Sequence, residues 1–253
     1  MASYRYRRHG GAVDRIRDKI TEIQEEKEVG HVVQAVIFDQ DGLMFDTESL
    51  VAQAWKEIGP KYGIFADSEF MRELRGRKPE QIRECHLKRF GAEVMEHYNE
   101  FLVEKRRYSY EWIDRNGVPV KKGLKELLSY LKSHGIKTAV ATASSKTWTE
   151  RNVRGAGVEG LFDQYIYGDM VKEAKPDPAI FLLAADRLGV EPAKCVVLED
   201  SFNGIRAAAA GGFLPVMIPD QDEPDEKIRG LLTACRPSLD EVIPLFEDGT
   251  FLL

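Results

Sequence analysis

Apolar and polar positions fall along this chain in blocks, and the blocks change period. Short apolar runs of strand length, VVQAVIF at 32–38, KTAVAT at 137–142, YIYG at 165–168, CVVLED at 195–200 and PVMI at 215–218, recur along the chain. Between them the period lengthens to three or four. GLKELLSYLKSHG at 123–135 and PAIFLLAADRLG at 178–189 each read as a helix that stops on a glycine, Gly135 and Gly189. Strands alternating with helices predict an α/β fold: a Rossmann-like doubly wound parallel sheet covered on both faces. In such a fold, ligands bind beyond the carboxyl ends of the strands.

Residues 49–116 interrupt the alternation. The stretches SLVAQAWKEIGPKYG, EQIRECHLKRFG and EHYNEFLVEKRRYSYEWI have helical patterns with no strand among them. They predict an inserted all-helical cap at 49–116 over the carboxyl edge of a core formed by 32–48 and 117–253. Ahead of the core, residues 1–31 form an N-terminal extension. Within it Val13, Ile16, Ile20 and Ile23 make one stripe of an amphipathic helix. That stripe is read as packing on the protein itself rather than on a partner chain.

Composition narrows the class. Hydrophobic residues make up 43% and charged ones 31%, an ordinary globular balance, and the formal charge is −6. That sign argues against a nucleic-acid binder, which needs a basic surface to displace counterions. No run approaches the roughly 18 apolar residues of a membrane span. MASYRYRRHGG at the start lacks the apolar stretch of a secretory signal. Cys85, Cys195 and Cys235 are widely spaced and form no metal-binding pair, which fits buried thiols in a reducing compartment. A cytoplasmic protein without membrane or nucleic-acid partners is expected.

The candidate chemistry lies where the strands end. VIFDQDGLMFDTE at 36–48 runs from apolar residues directly into Asp39, Asp41 and Asp46. The second core strand ends at Thr142, followed by Ala143, Ser144 and Ser145, and Lys175 in EAKPDP follows the third. The fourth ends at Glu199 and Asp200. Each cluster has a plainer reading as a turn, a helix cap or a solvated loop. Together, on successive βα units of one parallel sheet, they converge on a single site. Carboxylates suit a hard cation such as Mg²⁺, hydroxyl and backbone N–H groups suit anionic oxygens, and a lysine supplies positive charge. Phosphoryl transfer needs that combination, with a carboxylate available as nucleophile.

FDQDGLMFDTE, VATASS, AKPDP and VVLEDSFNGIRAAAAGG together resemble the four motifs of the haloacid dehalogenase-like superfamily, in the branch with a helical cap, over residues 32–245. The resemblance implies that Asp39 is the nucleophile and Asp41 the general acid and base. It implies Mg²⁺ held by Asp39, the Asp41 carbonyl and Asp200, with Glu199 a ligand or just behind. Thr142, the Ala143 N–H and Lys175 would hold the phosphoryl oxygens, with Lys175 also restraining Asp39. Asp46 and Thr47 would shape the turn into the cap. Dehalogenases of this family dispense with the second aspartate, so Asp41 favours phosphoryl chemistry.

Relatives divide into phosphatases and β-phosphoglucomutases. After the first motif this chain reads DTESLV, with Glu48 where mutases carry a small residue and Val51 where they carry a histidine. Their cap places an arginine three residues after a glycine, where this chain has Pro79 after Gly76. Arg77 and Lys78 stand beside it as candidate substrate-binding cations. The expectation is an Mg²⁺-dependent phosphatase, a monomer acting on a small phosphate ester through an aspartyl-phosphate. A phosphosugar mutase is the alternative. A catalytically inactive binding module is a third reading, disfavoured because Asp39, Asp41, Lys175 and Asp200 are all retained.

Overall fold

The computed structural model describes residues 30–253 except 66 and 75–78. The helix expected at 13–28 and the cap cations Arg77 and Lys78 therefore lie outside the described residues.

The expected first strand divides in two. His31–Val32 (β1) pairs in parallel with Phe251–Leu252 (β8), near the chain's other end. At Val33 and Gln34 the backbone changes partner: Val33 N–H donates to Leu252, and Gln34 N–H to Lys194. Ala35–Phe38 (β2) then enters the main sheet. With Lys137–Ala141 (β3), Gln164–Ile166 (β4), Cys195–Glu199 (β5), Leu214–Met217 (β6) and Ala234–Cys235 (β7), it forms a six-stranded sheet in the order β4-β3-β2-β5-β6-β7. Every pairing is parallel. The short edge strand β7 carries too few apolar residues to stand out from sequence, and the expected pattern did not include it.

Alternation along each strand feeds two cores. On one face Val36, Phe38, Val140, Val196, Leu198 and Val216 pack with Leu124, Leu127, Leu128 and Leu131 of α5 (Leu124–Ser133). On the other, Ala35, Ile37, Ala139, Ala141 and Val197 meet Phe181 and Ala184 of α7 (Ala179–Leu188) and Ala207 and Ala208 of α8 (Phe202–Ala210). Each large side chain fully buried here contributes roughly 1.5–3 kcal/mol. The small residues on the second face let α7 and α8 approach the sheet closely.

Between β2 and β3 lie α1 (Thr47–Ile58), α2 (Ser68–Leu74), α3 (Pro79–Glu96) and α4 (Tyr98–Asn116), with α3 broken at Gly91. This helical insert has an apolar cluster of its own around Trp55, Phe70, Tyr98 and Phe101. Asp46 starts α1 by accepting from Ser49 N–H at 3.2 Å. After β3 comes α6 (Lys146–Gly155), and the chain closes through short helices, α9 (Glu226–Arg229) and α10 (Pro244–Glu247). No helix among the described residues is long and apolar enough to cross a membrane.

Candidate active site

β2 lies between β3 and β5, in register Phe38 to Val140 and Phe38 to Leu198. The residues that follow these three strands therefore share one rim. From β2 the chain turns one way to β3 and later the other way to β5, so the rim sits at the reversal in strand order, where open α/β sheets take their ligands.

Asp39 is buried at this rim, its N–H bonded to the Leu198 carbonyl at 3.0 Å. Lys175, between β4 and α7, donates to Asp39 Oδ1 at 2.5 Å, to Glu199 Oε1 at 2.7 Å and to the Ala141 carbonyl at 3.3 Å. Glu199 Oε2 accepts from Ser201 N–H at 2.8 Å and its hydroxyl at 2.9 Å, so both Glu199 oxygens are engaged by protein. Burial, partly offset by Lys175 and reinforced by Glu199, pushes the Asp39 carboxyl up to about 7. Burial opposes the Lys175 charge, yet Asp39 and Glu199 outweigh it and hold the ammonium above its ordinary range. Asp200 is pushed well above the carboxylate range, first by burial and then by Glu199 and Asp39.

Two motif glycines make this crowding possible. Gly42 has φ +88°, and a Cβ there would lie 2.2 Å from Asp200 Oδ2. Glycine alone supplies both the backbone conformation and the space. Gly204, in α8, lies against Glu199; a Cβ would sit 1.8 Å from its Oε1. Any side chain at either position would displace an acid.

Asp41 accepts from an unusually complete set of donors. Thr47 Oγ1 at 2.8 Å and Trp148 Nε1 at 3.1 Å meet its Oδ1, and Ser144 Oγ meets Oδ2 at 2.6 Å. Gln40 Nε2 reaches both oxygens at 3.3 and 3.2 Å. Thr47, expected only to shape the turn, thus touches a site carboxylate. Thr142 is buried, its N–H donating to Ile166 at 3.0 Å and its hydroxyl accepting from Ser144 N–H at 3.0 Å. Ala143 follows it, exposed.

Asp39, Asp41, Thr142, Ala143, Lys175, Glu199 and Asp200 all line one cavity of about 670 Å³. The insert contributes Glu48, Val51, Trp55, Met71, Leu74, Ile82 and Lys105 to the same cavity. Lys105, on α4, is a site residue that sequence reasoning missed. Its ammonium lies 5.1 Å from the Trp55 ring centroid, and burial, partly opposed by Glu48, lowers it to about 8. In EKRRY it looks like one of several surface cations; the only hint was its place four residues after Phe101 on one helical face. Trp148, also missed, sits in a polar stretch, KTWTE, where a lone aromatic gives no chemical signal.

Asp39, Asp200 and Glu199 crowd around a single lysine; burial and then Glu199 raise both aspartates, and Asp39 further raises Asp200. An all-oxygen, acid-rich rim of this kind fits a divalent cation that neutralises part of the excess. Among the described residues no three His, Cys, Asp or Glu side chains are already arranged to hold a metal ion. Mg²⁺ does not require such a group, because it takes one or two carboxylates and keeps several waters.

A family profile for haloacid dehalogenase-like hydrolases matches residues 33–212. The chain is 35% identical to a phosphorylated carbohydrates phosphatase of Thermotoga maritima over 192 residues, covering 72% of this chain and 82% of that one. It is 34% identical to a fructose-1-phosphate phosphatase of Escherichia coli, covering 70% of this chain and 92% of that one. Among solved structures, the β-phosphoglucomutase of Clostridium difficile superposes with a TM-score of 0.70 at 26% identity, covering 87% of this chain and 97% of that one. The acid-rich rim, the helical insert and these likenesses agree, and the chain belongs to the haloacid dehalogenase-like hydrolases.

Proposed function

We propose that this hydrolase is an Mg²⁺-dependent phosphatase for a small phosphate monoester, a sugar phosphate or a similar polar ester. The observation that carries the reading is Asp39 at the cavity floor, with one oxygen held by Lys175 and the site's other acids and hydroxyl around it. Lys175 fixes the carboxylate through Oδ1, which leaves Oδ2 to attack phosphorus. As the Asp39–P bond forms and the ester P–O bond breaks, Asp41 gives a proton to the departing oxygen. Asp41 then takes a proton from water, which attacks phosphorus and releases Asp39 and inorganic phosphate. Thr142, the Ala143 N–H and the Lys175 charge would stabilise the phosphoryl oxygens.

Asp39, Asp200 and the Asp41 carbonyl would hold Mg²⁺, with Glu199 supporting from behind because its oxygens already bind Lys175 and Ser201. The cation, when bound, supplies positive charge to the phosphoryl oxygens. Lys105 reaches the cavity from the insert and suits an anionic or hydroxyl-rich part of the substrate. The names of relatives support both phosphatase and mutase. Val51 lines the cavity where mutases carry a histidine, which favours hydrolysis.

Phosphate release from a panel of sugar, nucleotide and polyol monophosphates tests this, with isomerisation of β-glucose 1-phosphate followed in parallel. Release that disappears in chelator and returns with Mg²⁺ is expected. Isomerisation without release would overturn the phosphatase reading in favour of the mutase.

A further inference from the structure

Trp148 joins two parts of the molecule that the sequence keeps apart. Its indole donates to Asp41 Oδ1 at 3.1 Å, and its ring stacks on Tyr110, with centroids 5.4 Å apart and planes 19° from parallel. Tyr110 belongs to α4, the last helix of the insert, whereas Trp148 belongs to α6 of the core. Arg151, three residues further along α6, reinforces the junction. Its guanidinium lies 4.9 Å from the Tyr110 ring centroid, donates to the Tyr110 carbonyl at 3.3 Å and pairs with Asp114. The indole is thus held from the insert side while it holds a core carboxylate.

The donors around Asp41 differ in what they can do. The Ser144 and Thr47 hydroxyls can turn round and accept, whereas an indole N–H can only donate. Trp148 therefore keeps Oδ1 an acceptor throughout. Gln40 Nε2 also only donates but is shared between both oxygens, so the indole is the donor that singles out Oδ1, while Oδ2 faces the reversible Ser144 hydroxyl.

We propose that Trp148, backed by Tyr110, is the positioning residue that orients Asp41 toward the ester oxygen that leaves. This rests on the reading of Asp41 as the group that moves the proton. It places control of that proton at the contact between insert and core, so that a substrate engaging α4 and the chemistry at Asp41 share one aromatic pair.

The test compares kcat/KM for an alkyl ester, fructose 1-phosphate, with that for p-nitrophenyl phosphate, whose phenolate leaves without needing a proton. Trp148→Phe keeps a ring on Tyr110 and removes the N–H. It should lower the alkyl-to-aryl ratio about ten-fold, the scale of one lost hydrogen bond to a charged group. Tyr110→Leu should lower the ratio in the same direction. Equal loss on both esters, or no change in ratio, would mean that Trp148 only supports the fold and would overturn the proposal.

An independent readout is the indole N–H resonance in a ¹H–¹⁵N spectrum of the full chain, which contains three tryptophans. The resonance missing from Trp148→Phe should move in Asp41→Ala, and an unmoved resonance would also overturn the proposal. If the wild-type protein released phosphate from neither ester, the phosphatase reading would fail, while this resonance would still decide the link between Trp148 and Asp41.

Discussion

Around Asp39 opposing effects meet at one carboxyl: burial and Glu199 push its proton affinity up, while Lys175 pulls it down. Asp39→Asn keeps the shape and removes the nucleophilic charge, and Lys175 still has Glu199 as a partner. We expect phosphate release to fall by at least about 1000-fold while cooperative thermal unfolding persists. Retained turnover would refute the nucleophile assignment. Lys105 yields a prediction in pH. Burial brings its ammonium to about 8, so it is charged below that pH and neutral above it. Phosphate monoesters are already dianionic near pH 7, with a second pKa of about 6. If Lys105 grips the substrate, KM should rise roughly three- to ten-fold between pH 7 and 9. The rise should vanish in Lys105→Met; a flat wild-type profile would remove Lys105 from the binding site.

The turn after β2 shows how a short segment places several functions at once. Asp39, Asp41, Gly42 and Asp46 lie within eight residues; they supply two site carboxylates, a glycine at φ +88° that admits Asp200, and the cap of α1. Gly42→Ala should cost about 1–3 kcal/mol from backbone strain and should also move Asp200. Thermal unfolding should show the first effect, and a higher Mg²⁺ requirement for phosphate release should show the second. Unchanged Mg²⁺ dependence would separate Gly42 from the metal site. Legibility differed among the elements. Five runs with strand composition and the glycine stops of α5 and α7 could be read directly, because burial on both faces forces continuous apolar stretches. The split of 32–38 into β1 and β2 could not be read, because Val32 and Val33 look the same whichever sheet they join.

At the scale of the molecule, the two ends of the described chain meet in β1 and β8, and Phe251 is fully buried against the same core as Phe38 and Leu198. Phe251→Ala should lower stability by roughly 3–5 kcal/mol in urea unfolding while leaving KM unchanged, since Phe251 does not line the cavity. A changed KM would show that the terminal pairing shapes the site. The sequence by itself determined the parallel α/β core, the helical insert and the acids, hydroxyl and lysine of the rim. Those features follow from local periodicity and from residues placed just after strands, which every βα unit delivers to the same edge. Only the tertiary structure decided that Lys175 bonds Glu199 as well as Asp39, that Lys105 turns into the cavity, and that Trp148 bridges Tyr110 to Asp41. Those outcomes depend on how separate helices pack across the sheet's rim. Contacts between residues 24 or more positions apart leave no periodic trace in a single chain.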